Sequence, residues 1–485
     1  MERRTLPVAP LELNEDALGF FRWGRVAGHM IVSNDAGDWA RLTDAEFADL
    51  LAGRVVDGHA RFLELQSKGF LRDGLDLDAL ASRLAQRSRQ LRRGPSLHVV
   101  TLTAADAAMT AETAAAIAEF ILQTTSPSVS VEFQGHAGEP LRNLAALRQC
   151  FETAQHRNQR STGKTLRWRV LTNCSAMTDE VADWLVENDI TVVTSLDGPA
   201  ALHDANRRWF PGSPHALVVR WIEYLRRRAA EAGRDARVPV EALLTTTRQT
   251  LGAAREVVEE YAAQGLATLR VRPLDRARFA ADTWNAIGYG LDEYLPFYRR
   301  VLDAVLEVNR RGVSLSERTA AAILSKMLTG DDPAIVDLQS PHGAGTAQLA
   351  YDFDGRIFPS DEARIVDAMG DPFFELGRVG ELAMQDVARH PTVRTIAAAS
   401  LLDAQPMCAD CWNKPFCGFS PVRNFLTQGD LVGQRPHCVE CKEHMAVSTR
   451  LMELLADAND TVTTQTLTRW TAGQAGEGRI GADAP

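Results

Sequence analysis

The chain has 485 residues, with 63 acidic against 53 basic side chains and a formal charge of −10, a length suited to about two to four domains. That charge argues against a nucleic-acid or anionic-membrane partner, since both need clustered positive charge, and runs such as "RQLRR" and "YLRRR" read as solvated helix faces. No stretch reaches the ~18 apolar residues of a membrane span, and "MERRTLPVAPLELNED" lacks the apolar core of a signal peptide, so a cytoplasmic chain with reduced thiols is expected.

Residues 1–92 read as a small α+β domain suited to peptide or partner recognition. A short apolar strand and an Asp/Gly turn precede a helix opened by Thr43 with Glu46 at capping-box spacing. A second helix ends at the glycine of "SKGF". Residues 93–275 then alternate apolar or β-branched runs, at 97–102, 128–133, 166–172, 191–196, 238–246 and 268–273, with helical segments. Such alternation implies right-handed βαβ units and a parallel sheet. Six units are too few for a closed eight-fold barrel, so the predicted fold is α/β with a partial (β/α)6 barrel. Residues 276–339 read as a helical linker, in which Tyr298, Val301, Leu302, Val305 and Val308 share one helix face. Residues 340–450 begin with a hairpin signal at Asp354-Gly355 and hold the cysteine-rich segment. Residues 451–485 read as a C-terminal helix followed, from about 471, by an unstructured Gly/Ala-rich tail.

Five of the seven cysteines, Cys408, Cys411, Cys417, Cys438 and Cys441, fall in "MCADCWNKPFCGFSPVRNFLTQGDLVGQRPHCVECK". Paired CxxC spacing in a reducing compartment points to tetrahedral thiolate ligation of a metal. Two ligand sets fit. Cys408 and Cys411 with Cys438 and Cys441 form two zinc-ribbon knuckles. Cys408, Cys411 and Cys417 with Cys438 suit an iron–sulfur cluster, with Cys441 as the alternative ligand. Zinc and a single [4Fe–4S] cluster both remain open, since thiolates suit either.

"TSLDGPAALHDANRRWFPGSP" resembles a signature of the radical S-adenosylmethionine (SAM) peptide maturases with a SPASM domain, the group that includes anaerobic sulfatase-maturating enzymes. "EFQGHAGEPL", "LQSPHGAGTAQLAYDFDGRIFPSDEARIV" and "CADCWNKPFCGFSPVRNFLTQGD" are similar to its HxsB branch, the His-Xaa-Ser system maturases. The likeness runs from about Phe20 to about Cys438 and implies a radical-SAM-type barrel with a SPASM-like C-terminal domain. The family's CxxxCxxC, which anchors the SAM-cleaving cluster after the first barrel strand, is missing: "LHVVTL" runs into "TAADAAMTAETAAAIAEF". Cys150 and Cys174 read as buried small hydrophobes. Positions matching the first auxiliary cluster's ligands are His342, Ser360 and Ser420, whereas those matching the second are Cys408, Cys411, Cys417 and Cys438. The resemblance therefore favours the second ligand set.

For SAM binding, the resemblance keeps Gly138, Glu139, Ser195, Asp197 and Arg207, with Ala137 in place of a glycine. An equally available reading makes them strand-end caps and a rim salt bridge, so they do not by themselves imply that SAM still binds. Asp361 matches the base of the sulfatase maturases, but no catalytic role follows without a radical. The expected function is a degenerate homologue without reductive SAM cleavage. It would bind a ribosomal precursor peptide, an active radical SAM maturase, or both. The alternatives are a SAM-binding enzyme with non-radical chemistry, a maturase completed by a partner chain, and an electron-transfer protein.

Overall fold

The computed structural model describes residues 12–88, 91, 93–208, 212–235, 240–274, 281–329, 335–457 and 460–478. Near the N-terminus, β1 (Arg22–Val26), β2 (His29–Ser33) and β3 (Trp39–Leu42) form an antiparallel sheet in that order. Ala27 and Gly28, both at positive φ, close the first hairpin in two residues. The helix Asp44–Leu51 begins with the expected capping box between Thr43 and Glu46. The next helix, Phe62–Ser67, runs out at Gly69, whose φ is +73°. Met30, Val32, Leu42, Phe47, Leu50 and Phe70 form this unit's own core.

The six expected strands are present, each within two residues of its predicted bounds: β4 (Leu97–Thr103), β5 (Ser128–Gly135), β6 (Thr165–Leu171), β7 (Ile190–Ser195), β8 (Val240–Thr245) and β9 (Thr268–Arg272). All pair in parallel and in chain order. Their outward residues, among them Val100, Leu102, Val129, Val131, Phe133, Trp168, Val170, Val192, Leu244, Leu269 and Val271, pack into the main core with the crossover helices. The alternate residues face the barrel interior.

The barrel is open, and both of its edges are extended by later chain. On one side, β10 (Ser316–Glu317) lies parallel to β9. On the other, β11 (Gln348–Tyr351) lies parallel to β4, followed by antiparallel β12 (Arg356–Phe358) and β13 (Gly377–Arg378). The turn between β11 and β12 is the one signalled by Asp354-Gly355. Fully buried Glu317 fastens β10: its carboxylate accepts from Tyr298 Oη and from the Ala320 N–H at 2.8 Å. The linker helices are Leu291–Arg310 and Arg318–Leu328.

The helix Val439–Ala456 is followed by Thr461–Gly478, which continues past residue 471, where composition argued for an unstructured tail. Burial of Leu467 and Trp470 against the main core anchors that helix and outweighs its poor helix formers. Residues 479–485 lie outside the described residues. Among the described residues no helix is long and apolar enough to cross a membrane.

Candidate functional site

The cysteine segment folds as consecutive tight turns, with N–H groups of Cys411, Lys414 and Cys417 donating to the carbonyls of Cys408, Cys411 and Lys414 at 3.1, 3.0 and 3.3 Å. Cys438 is the residue from which the helix Val439–Ala456 starts. This brings Cys408, Cys417, Cys438 and Cys441 against Leu402 and Phe419 in one small cluster, and Cys411 lies within electrostatic reach of Cys408 and Cys417. Burial, above all, raises all five thiols, Cys408 and Cys438 to about 11. The charge of Cys441 raises each of the other four.

Against burial, the backbone N–H groups of Asn413 and Lys414 lower the Cys411 thiol, and that of Cys441 lowers the Cys438 thiol. Donors aimed at sulfur stabilise thiolate. Arg435 adds positive charge, its Nη1 3.8 Å from Cys438 Sγ and its guanidinium stacked 3.7 Å above the Phe419 ring. All seven cysteines are free thiols. Among the described residues no three Cys, His, Asp or Glu side chains already stand at metal-coordination geometry. The donor set of five gathered soft thiols fits zinc or an iron–sulfur cluster.

The positions matched to SAM binding gather at the C-terminal ends of β5 and β7, but most of their polar atoms turn into the protein. Buried Glu139 accepts from Thr172 Oγ1, from the Asn173 N–H at 2.9 Å and from the Leu141 N–H at 3.2 Å, and burial raises its pKa. Asp197, 1% exposed, is held by Arg207 through Nε at 2.8 Å and Nη2 at 3.1 Å, and by the Thr245 N–H at 3.1 Å. A Cβ on Gly138 would stand 2.9 Å from Thr103 Oγ1. Ala137 keeps a left-handed φ of +54°. Ser195, at the end of β7, is half-buried. These contacts describe strand-end caps and a rim salt bridge, with the Ser195 hydroxyl as the least committed group.

The loop after β4 closes on itself. Thr103 bridges Ala108, and the Ala104 N–H donates to the Ala107 carbonyl at 2.7 Å. Cys150 and Cys174 sit at 1% exposure in the main core, their thiols pushed up to about 12 by burial, and cannot reach that loop. His342, Ser360 and Ser420 are all buried. Ser360 and Ser420 cap the helices Asp361–Ala368 and Pro421–Gln428, while His342 Nε2 lies 3.3 Å from Asp337 Oδ1. This hydrogen-bonded set does not fit an iron–sulfur cluster. Asp361 is taken by Arg364 at 2.9 Å and by Gln134 at 2.5 Å.

Sequence reasoning passed over one constellation. "LRWRVL" and "TLRVRP" put arginine at alternate, inward positions of β6 and β9. The signal was available, because charge at every second residue of a strand whose other residues are buried marks a polar interior.

No family model matches the chain. A cysteine-type anaerobic sulfatase-maturating enzyme of Clostridium perfringens strain 13 is 24% identical over 272 residues, 55% of this chain and 67% of that protein. A solved structure of native anSMEcpe with bound AdoMet and Cp18Cys peptide superposes with a TM-score of 0.62 at 17% identity, covering 76% of this chain and 99% of the other. Streptococcus suis SuiB bound to its precursor peptide SuiA gives 0.50 at 13% identity, over 87% and 98%. The chain is thus related in sequence to anaerobic sulfatase-maturating enzymes, and its fold is that of the radical SAM maturases.

Proposed function

We propose that the protein is a radical SAM/SPASM homologue of the HxsB kind that has lost reductive SAM cleavage and acts as a peptide- or maturase-binding accessory in ribosomal peptide modification, with one metal centre on its remaining cysteines. The observation that carries this reading is the closed, cysteine-free loop after β4, together with the burial of Cys150 and Cys174 away from it. No thiolate triad can form where the reactive cluster would be anchored. The remaining cysteines would hold one auxiliary-type [4Fe–4S] cluster or zinc through Cys408, Cys411 and Cys417 with Cys438 or Cys441. Cys441 packs in the same cluster as Cys408, Cys417 and Cys438, which supports keeping it as a ligand.

A peptide partner is supported by the structural neighbours, solved with the Cp18Cys and SuiA peptides. On this chain the edge suited to strand addition is β1. Its hairpin register turns the backbones of Trp23 and Arg25 outward, beside exposed Phe20 and Trp23. The opposite edge, on β3, is blunted: Lys68 Nζ caps the Trp39 carbonyl at 2.8 Å and Arg61 Nη2 the Arg41 carbonyl at 2.9 Å.

The test is iron, sulfide and zinc content after reconstitution without oxygen, with an assay for 5′-deoxyadenosine. About four irons, or one zinc, without SAM cleavage is the expected result. Formation of 5′-deoxyadenosine would overturn the reading. Metal content of Cys417→Ala and Cys441→Ala then separates the ligand sets, and binding of a neighbouring precursor peptide by wild type but not by Trp23→Asp tests the β1 edge.

A further inference from the structure

The barrel interior is lined by several arginines in a chain whose net charge is −10. Trp168 and Val170 of β6, and Leu269 and Val271 of β9, are committed to the helix-side core, so Arg167, Arg169, Arg270 and Arg272 point the other way. Arg318 joins them beside Arg270, because Ser316 and Glu317 pair with Thr268 and Leu269. On the inward positions of β4 to β9 the carboxylates are Glu132 and Glu241. Both are already engaged: Arg169 Nη2 bonds Glu241, Arg169 Nε lies 3.7 Å from Glu132, and Arg318 Nη1 lies 3.4 Å from Glu241. Asp361 reaches the same interior through Gln134 but is answered by Arg364 of its own helix. Arg169 and Arg318 thus already have carboxylate partners.

Arg270 is the odd one out. Among the described residues it makes no ion pair, and the charges that act on it most strongly are Arg318, Arg272, Glu132 and Arg169, three of the four positive. Burial and these like charges lower its pKa to about 10, so it still carries its charge at neutral pH. It nonetheless keeps partial contact with solvent. A deep cation among cations is costly unless something negative joins it. Arg272, two residues on at the strand's C-terminal end, extends the same charge toward the barrel mouth.

We propose that the barrel interior binds an oxyanion, a phosphate or a carboxylate, gripped by the Arg270 guanidinium with Arg272 and Arg318 beside it. The planar fork of arginine donates two parallel hydrogen bonds to either group. The anion arrives on one of two carriers, an acidic peptide segment or a phosphorylated small molecule. The site is independent of the reading of the cysteines, because neither probe below needs metal or SAM.

The experiment is calorimetric titration of the full-length protein with pyrophosphate and, separately, with a glutamate-rich decapeptide, in low salt and in 0.5 M salt. Wild type is expected to bind at least one probe, more weakly in high salt, and Arg270→Met to bind it at least tenfold more weakly. Arg270→Met is also expected to raise the melting temperature of the ligand-free protein, because it removes an unpaired charge; Arg220→Met, on the exposed surface, should change neither. Pyrophosphate alone identifies the small-molecule carrier, and the peptide alone the acidic segment. No binding of either probe at millimolar concentration, or equal affinity in Arg270→Met, overturns the proposal. Should Arg270→Met fail to fold, Arg272→Gln and Arg318→Gln replace it: a tenfold loss in either supports the site, and unchanged affinity in both refutes it.

Discussion

Arg207→Ala puts the rim salt bridge to the test. The Asp197 carboxylate is 1% exposed, and two of its hydrogen bonds come from Arg207, at 2.8 and 3.1 Å, leaving the Thr245 N–H at 3.1 Å after truncation. Removing one partner of a buried pair costs about 3–5 kcal/mol, because the other charge stays buried and unanswered. The Arg207 side chain is itself 20% exposed, so water can enter the space it leaves, and the lower end, about 3 kcal/mol, is expected. At an m of about 3 kcal/mol/M this is a fall of about 1 M in the urea midpoint. Replacing both partners, Asp197→Asn with Arg207→Met, leaves no charge to bury and should recover at least half of the loss. A midpoint within about 0.3 M of wild type for Arg207→Ala would refute the reasoning, since it would put the pair in the class of exposed salt bridges.

Ala137→Gly relieves a left-handed φ of +54° and should stabilise the protein by about 1 kcal/mol in urea unfolding, whereas Ala137→Val should destabilise it. His98 is fully buried between the Tyr351 hydroxyl at 2.8 Å and the Pro95 carbonyl at 3.2 Å, and burial lowers its pKa to about 3. With the folded value below the unfolded one of about 6.5, stability is full above pH 6.5 and falls as the pH drops toward 3. Between pH 7.5 and 5.5 His98 alone accounts for about 1.4 kcal/mol, and His98→Phe should shrink the measured loss by that much. Tyr298→Phe strips a hydroxyl from the buried Glu317 carboxylate and should cost about 2 kcal/mol, while an unchanged urea midpoint would deny Glu317 its fastening role.

The barrel was legible because each strand advertises itself locally. Val129, Val131 and Phe133 alternate with Ser130, Glu132 and Gln134, and the buried set is the apolar one. Thr43 with Glu46, and Asp354-Gly355, were legible for the same reason, since a cap or a turn is decided by residues adjacent in sequence. What failed to read was long-range. Nothing in "QLAYDF" says that β11 lies parallel to β4, some 250 residues earlier, and nothing in the Gly/Ala-rich end says that Leu467 and Trp470 find a core. The cysteines could be grouped by spacing, but their gathering around Leu402 and Phe419 depends on how Cys438 starts a helix. The interior arginines were visible as letters, yet the set around Arg270, drawn from β5, β6, β9 and the residue after β10, emerges only when those strands share one space.

That same long-range logic joins the cysteine segment to the N-terminal sheet. Ser33 Oγ donates to the Trp412 carbonyl at 2.6 Å, and Asp35 accepts from Arg22 at 2.9 Å and from Lys414 Nζ at 2.8 Å. A Cβ on Gly24 of β1 would come within 2.2 Å of the Trp412 ring, so that strand and the indole touch at a distance only glycine permits. Trp412 follows Cys411 directly. On the proposed reading, a metal that fixes Cys411 therefore also fixes the surface on which β1 rests, and β1 is the edge offered to a peptide. Metal occupancy and peptide affinity then belong to one mechanical unit, with the cluster serving as the footing of the docking strand instead of as a source of electrons.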